Sequence, residues 1–112
     1  MKIENLDVAD GKIKKITSDV KDLSIVLLDW KEKIWHLKFD NILAIENFNI
    51  EEEDLVDLTI ESDSNFILLA MNMTEEDDNL IFFCYSFFTR HANKPRLRVV
   101  ATGCEIEAMS LL

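Results

Sequence analysis

Short segments in which apolar and polar residues alternate recur along this chain about every ten residues, with brief polar turns between them. Between residues 34 and 39, for example, Trp35, Leu37 and Phe39 alternate with polar side chains. Because successive side chains of a strand point to opposite faces, these three residues would share a buried face. The pattern therefore predicts strands and leaves little room for helices.

The same alternation and β-branched or aromatic content predict strands in several other segments. They are residues 23–28, 56–61, 66–73, 79–89 and 96–102. In the second of these segments, Val56, Leu58 and Ile60 would face inward, while the carboxylates between them would face water. The polar residues 30–33 would connect two neighbouring strands as a hairpin.

Consecutive strands joined by short turns favour antiparallel pairing. We therefore predict a mainly all-β fold, with a single domain over residues 1–112 built as an antiparallel β-sandwich or flattened barrel. With 112 residues, of which 48% are hydrophobic, the chain is long enough to bury a core. At most one short helical turn is expected, between Asn49 and Leu58, where four successive carboxylates would suit the N-terminal end of a helix.

No segment of the sequence is apolar enough to span a membrane. The longest apolar runs, residues 67–71 and 80–85, are far shorter than the roughly 20 residues that a spanning helix needs. The first residues lack the apolar region and cleavage site of a secretory signal. Cys84 and Cys104 lie in apolar or strand-like surroundings. We expect a cytoplasmic protein with reduced thiols and no membrane association.

The residue types needed for familiar catalytic and metal sites are scarce. The two glycines, Gly11 and Gly103, cannot build a glycine-rich phosphate loop, and the acidic runs lack the glycine and the spacing of a calcium loop. Cys84 and His91 are the one nucleophile and base that a hairpin would bring together, although Cys84 fits a buried position better. We predict no catalytic residues, no cofactor and no metal.

The charge is strongly polarised along the chain. No lysine or arginine occurs between Lys38 and Arg90, whereas that stretch carries thirteen carboxylates in a chain of net charge −10. A one-signed surface attracts a basic partner and speeds its association. The same carboxylates would also keep a β-rich protein soluble and protect its strand edges, so a purely solvating role is the alternative.

We predict that a binding surface is formed by most of these carboxylates, together with two aromatic anchors. Trp30 lies at the end of a strand, Phe48 lies between two asparagines, and tryptophan is enriched at binding hot spots. The candidate partner-binding residues are Glu51, Glu52, Glu53, Asp54, Asp57, Glu61, Asp63, Glu75, Glu76, Asp77, Asp78, Trp30 and Phe48.

The strand pattern of the chain resembles that of small β-rich bacterial immunity proteins of polymorphic toxin and contact-dependent inhibition systems. The segments that carry the resemblance are Asp10–Ile16, Asp22–Leu27, Leu37–Ile42, Leu97–Ala101 and Glu105–Glu107. The resemblance implies a cytoplasmic, non-enzymatic protein that neutralises a cognate toxin by binding it. We expect that toxin to be basic and nuclease-like, and we expect no direct contact with nucleic acid.

Two other roles remain open from the sequence. One is a small-ligand-binding or regulatory β-barrel whose interior is lined by Met71, Met73, Phe82 and Tyr85. The other is self-association into a homodimer through paired strand edges.

Overall fold

Two four-stranded antiparallel sheets face each other in the computed structural model, which describes residues 1–74 and 79–109. The elements are a 3-10 turn (Ile3–Asn5), β1 (Lys12–Ser18), β2 (Leu23–Leu28), β3 (Ile34–Asp40), β4 (Ala44–Asn47), β5 (Leu55–Glu61), α1 (Asn65–Thr74), β6 (Phe83–Thr89), β7 (Leu97–Ala101) and β8 (Gly103–Ala108). The first sheet has the order β1-β2-β3-β8, and the second has the order β4-β7-β6-β5. The predicted fold class is confirmed. No helix in the described part of the chain is long and apolar enough to cross a membrane.

The two sheets are joined by a pair of strands that bend from one sheet into the other. β3 continues into β4, and β7 continues into β8, so that the two long strands pair in both sheets. At the bend, the Leu43 amide donates to the Val100 carbonyl over 2.8 Å, and the Thr102 amide donates to the Asp40 carbonyl over 3.0 Å. The fold is therefore a flattened barrel rather than two separate layers.

The barrel closes on its other side where β1 meets the start of β5. The Leu55 amide donates to the Gly11 carbonyl over 2.9 Å, and the Asp10 amide donates to the Leu55 carbonyl over 2.8 Å. Each strand carries a bulge next to this junction, in β1 between Ile13 and Lys15 and in β5 between Leu55 and Asp57. Bulges are common at barrel rims, because they add twist and end regular pairing.

The bulge in β5 corrects one prediction from the sequence. It turns Leu55 into the core and leaves Val56 43% exposed, so the inward orientation predicted for Val56 is wrong. Leu58 and Ile60 do pack against the core, as predicted. One inserted residue shifts the alternation by one position, and a strict period of two cannot anticipate it.

The barrel interior is filled by apolar side chains from both sheets. Leu37 and Phe39 are fully buried and Trp35 nearly so, which confirms the predicted inner face of β3. The rings of Phe39 and Tyr85 meet edge to face with centroids 5.1 Å apart. The predicted ligand-lining set is not assembled, because Met73 is exposed and Phe82 lies in a second cluster outside the barrel.

Residues 66–73, predicted as a strand, form most of helix α1. Ser64 precedes the helix and its hydroxyl accepts a hydrogen bond from the Ile67 amide over 3.2 Å. Leucine, alanine and methionine favour helices, and an uninterrupted apolar run has no period of two to enforce a strand. Ile67 and Ala70, three residues apart, are the buried positions of α1, and Ile67 packs with Cys84 and Val100 on the outer side of the second sheet.

No helix forms between Asn49 and Leu58, the one segment for which the sequence allows a short helical turn; the α-helix lies at Asn65–Thr74 instead. Asn49 and Glu52 have φ angles of 59° and 69°, which a right-handed helix does not allow. The Glu53 amide donates to the Ile50 carbonyl over 3.1 Å in a tight turn, and β5 follows directly.

Gly11 lies where the barrel closes, and we expect that it cannot be replaced without cost. A Cβ there would lie 2.8 Å from the Leu28 carbonyl oxygen and 3.0 Å from that of Val8. Gly11→Ala should therefore lower the free energy of unfolding by about 1–3 kcal/mol, the usual cost of overpacking. Gly103→Ala is the matched control, because a Cβ at Gly103 meets nothing within 4 Å. Equal urea midpoints for the two variants would contradict the close approach.

Candidate protein-binding surface

The acidic turn that precedes β5 is paired with basic side chains from distant parts of the chain. Its three ion pairs are Glu52 with Lys14 at 2.7 Å, Asp54 with Lys12 at 3.7 Å, and Glu53 with Arg96 at 3.8 Å. Each of these carboxylates is about half-exposed, so each pair contributes little to stability. The pairs nevertheless offset much of the negative charge that this turn would present to a partner.

Local hydrogen bonds hold this turn beside β1. The side-chain oxygen of Asn47 accepts a hydrogen bond from the Ile50 amide over 3.1 Å, and Ile50 itself is fully buried. The Glu52 amide donates to the Ile13 carbonyl over 3.0 Å, directly before the bulge that contains Lys14. The bulge thus brings the Lys14 ammonium to the Glu52 carboxylate, although the two residues are 38 positions apart in sequence.

The carboxylates of β5 and of the bend after it are not neutralised in this way. Asp57 and Glu61 lie on the outer face of β5, which is an edge strand, and Asp63 precedes α1. None of the three forms an ion pair with a described residue. Among the described residues, the Asp57 carboxylate accepts a hydrogen bond only from the Leu58 amide, over 2.9 Å. We call Asp57, Glu61 and Asp63 the acidic edge.

The other predicted carboxylates divide into two groups. Glu51 is exposed at the tip of the turn and pairs with no described basic residue. The predicted run Glu75, Glu76, Asp77 and Asp78 lies outside the described residues.

Phe48, one of the two predicted aromatic anchors, is exposed beside the acidic turn. Its side chain is 57% exposed. Arg96 connects it to the turn, because the Arg96 guanidinium donates to the Phe48 carbonyl over 2.8 Å and also approaches Glu53. An open cleft of about 410 Å³ lies beside Phe48, between Lys94 and Arg98. Phe48 therefore lies at the surface next to paired charges, and its role as an anchor stays a prediction.

Trp30, the second predicted anchor, is also 57% exposed and lies in the β2–β3 hairpin. Asp29 organises this hairpin. Its carboxylate accepts the Lys31 and Lys33 amides, both over 2.9 Å, and the Trp35 indole N–H over 3.0 Å. Partial burial raises the pKa of Asp29, but these hydrogen bonds outweigh it, so the pKa lies below its ordinary value.

A surface that the sequence analysis missed lies on α1. The helix contains no charged residue, and Leu68, Leu69 and Met73 are 59%, 53% and 77% exposed. A helix on the surface of a domain normally turns polar side chains outward, so this is an unusually apolar surface. It was missed because the segment was predicted as a strand. The absence of any charge over ten residues was the available signal.

A cleft of about 580 Å³ opens between the N-terminal 3-10 turn and β8, with Tyr85 and Cys104 in its wall. Burial, with a smaller effect from nearby negative charge, raises the pKa of each of these two side chains to about 12. Both are therefore protonated at neutral pH. The Cys104 thiol is accordingly a poor nucleophile there.

The structure does not bring together the nucleophile and base weighed from the sequence. Cys84 is the second residue of β6 and is buried, and its Sγ lies 3.6 Å from the Ser86 hydroxyl. His91 follows the other end of the same strand. At about 3.3 Å per residue, the strand separates the two residues by roughly 20 Å.

Comparison with known proteins gives no match: no protein-family model, curated protein or solved structure matches this chain. The resemblance to immunity proteins therefore stays a prediction. Within residues 1–74 and 79–109, no three histidine, cysteine, aspartate or glutamate side chains are grouped as metal ligands would be.

We expect the hydrogen bonds accepted by the Asp29 carboxylate to stabilise the β2–β3 hairpin that contains Trp30. Asp29→Ala removes three hydrogen bonds and should lower the free energy of unfolding at neutral pH by about 1–2 kcal/mol. Because the folded-state pKa is lowered, this contribution is present above the unfolded pKa near 3.8 and disappears as the pH falls through the lower folded value. Urea unfolding of the natural protein and of Asp29→Ala at several pH values measures this contribution to the free energy of unfolding.

Asp22→Ala is the control, because it removes the same charge from a side chain that forms no hydrogen bond with the described residues. It should leave the free energy of unfolding nearly unchanged at each pH. If both variants lost the same stability, the hydrogen bonds of Asp29 would not hold the hairpin.

Proposed function

We propose that this protein is a non-catalytic binding protein that neutralises a basic toxin domain, to which it docks through the acidic edge. The observation that carries the proposal is that Asp57, Glu61 and Asp63 have no cationic partner among the described residues. Their charge remains available to a partner, whereas the charge of residues 52–54 is largely offset within the molecule.

The physical basis is electrostatic complementarity. A chain of net charge −10 steers a positively charged protein toward it, and unpaired carboxylates then form ion pairs at the contact. Domains that bind phosphate backbones are rich in lysine and arginine, so a nuclease-like toxin fits this surface. Nucleic acid itself would be repelled by the same charges.

Edge-strand geometry supports the same location. β5 pairs with β6 on one side, and on its other side it contacts β1 only at its start. The outer positions of β5 alternate between charged and small polar residues, which places Asp57 and Glu61 on one face at the rim of the barrel. A partner can therefore approach this rim without displacing any described element.

Capture from a lysate of the native cell, followed by a growth assay, tests the proposal. Tagged protein should retain a basic protein at low salt and release it as salt rises. That partner should arrest growth when expressed alone, and co-expression with this chain should restore growth. A captured partner that is acidic or harmless would contradict toxin neutralisation.

Two charge variants of this protein, each measured for binding to the isolated partner, locate the interface. Asp57→Asn/Glu61→Gln/Asp63→Asn removes the acidic edge, and Glu52→Gln/Glu53→Gln/Asp54→Asn removes the same total charge from the paired turn. Both should slow association, because steering depends on net charge. Only the acidic-edge variant should also dissociate faster. Loss of its three carboxylate contacts, at about 0.5 kcal/mol each, corresponds to an increase of about tenfold in the dissociation rate. Unchanged dissociation of the first variant would exclude the acidic edge.

A second candidate function, small-ligand binding, is favoured by the cleft beside the 3-10 turn. Tyr85 lies in the wall of this cleft, and its hydroxyl forms no hydrogen bond with the described residues, so it is free to donate one to a bound molecule. A ligand that binds only the folded state raises the melting temperature. Small aromatic ligands should raise the melting temperature of the natural protein, and they should raise that of Tyr85→Phe by a smaller amount. The absence of any shift would argue against this function.

A further inference from the structure

We infer that the free edge of β5 binds an extended segment of the basic partner as an added strand, and that basic and apolar residues alternate in this segment. The inference rests on the proposed function, because it specifies how the acidic edge recognises that partner. An edge strand with unpaired backbone groups can pair with a strand of another protein. Residues 57–61 of β5 meet this condition.

The backbone of residues 57–61 is paired on one side only. These residues pair with β6. On the other side of β5, the last backbone hydrogen bonds are the two between Leu55 and residues 10–11. The chain before β1 turns there, and the Gly11 amide donates to the Val8 carbonyl over 2.9 Å. Among the described residues, no backbone hydrogen bond joins residues 57–61 to any strand other than β6, so this edge is free to accept one.

The side chains of β5 differ in chemistry between its two faces. Leu58 and Ile60 pack against the barrel core but are only partly buried. Asp57 and Glu61 lie on the opposite face, are exposed, and form no ion pair with a described residue. Paired residues of neighbouring strands lie on the same face of a sheet. An added strand would therefore place alternate residues beside Leu58 and Ile60, and the residues between them beside the two carboxylates.

This difference between the faces determines which segment fits. Apolar side chains beside Leu58 and Ile60 would bury the apolar surface that these two residues still expose. Lysine or arginine side chains beside Asp57 and Glu61 would form cross-strand pairs of opposite charge, which stabilise a sheet. The segment that satisfies both faces is an extended one with alternating apolar and basic residues.

A second copy of the chain fits this edge less well. If two β5 strands paired in antiparallel orientation around Thr59, Asp57 of each copy would lie opposite Glu61 of the other. Like charges directly opposite each other destabilise a sheet. Each copy also carries a net charge of −10, so the two copies repel each other.

Two N-methylated peptides test backbone pairing separately from charge. The parent probe is a peptide of about seven residues in which lysine and valine alternate, titrated against the folded protein. Alternate amides of a strand point to opposite sides, so either its lysine amides or its valine amides would face β5. One peptide is N-methylated on its lysines and the other on its valines, at equal charge. We expect their affinities to differ at least about tenfold, because only one of them loses hydrogen bonds to β5. Equal affinities, or no saturable binding of the parent peptide, would overturn the inference.

A pair of protein variants tests the charged face with the parent peptide. Asp57→Asn/Glu61→Gln should weaken binding by about fivefold, the loss expected for two exposed ion pairs. Glu105→Gln/Glu107→Gln is the control, because it removes the same charge from β8, the edge strand of the other sheet. At about 0.15 M salt, which screens distant charges, the control should change the affinity less than about twofold. Equal weakening by both variants would overturn the contact at β5. Circular dichroism verifies that each variant is folded.

The captured partner separates this inference from the proposed function. Its binding should slow hydrogen exchange of the amides within residues 57–61, because those at the free edge gain acceptors. If the partner arrests growth and requires the acidic edge but leaves this exchange unchanged, toxin neutralisation stands and strand addition is overturned. A partner that slows the exchange but does not arrest growth would support the added strand and contradict the toxin role. If a dimer of this chain alone slows the exchange, the edge belongs to a second copy and the inference is overturned.

Discussion

The ladder shared by the two bent strands is the constraint on which the rest of the molecule depends. The backbone hydrogen bonds of Leu43 and Thr102 continue the pairing of β3–β4 with β7–β8 through the bend between the two sheets. Because pairing continues there, the inner faces of both sheets are held against one core, and their outer faces are fixed as well. The position of α1 on the second sheet follows from this, since its packing partners Cys84 and Val100 lie on that outer face.

The sequence predicts the strands best where one face is buried and the pairing is regular. Trp35, Leu37 and Phe39 satisfy both conditions, and their orientation was predicted correctly. The alternation fails at Val56, because a bulge depends on how β1 and β5 meet and leaves no local signal. It fails at residues 66–73 for a different reason, because residues 66–71 are all apolar and such a run has no period to distinguish a helix from a strand.

The candidate site was predictable in composition but not in arrangement. The acidic segment is visible in the sequence, yet the partners of Glu52, Glu53 and Asp54 come from β1 and from the residue before β7. Such ion pairs depend on long-range topology, which charge counting along the chain cannot supply. The fold therefore separates carboxylates that are offset within the molecule from those that have no described cationic partner, and it turns an uncharged segment into an exposed apolar helix.

Two features of the second sheet would ordinarily promote aggregation: the edge of β5 and the apolar surface of α1. Both are bordered by carboxylates without described cations, so any approaching molecule of the same charge is repelled. Solubility and selective binding are thus not competing explanations of the acidic segment. Carboxylates that keep identical copies apart would leave the same edge accessible to the cationic partner that we propose, so one set of charges serves both roles.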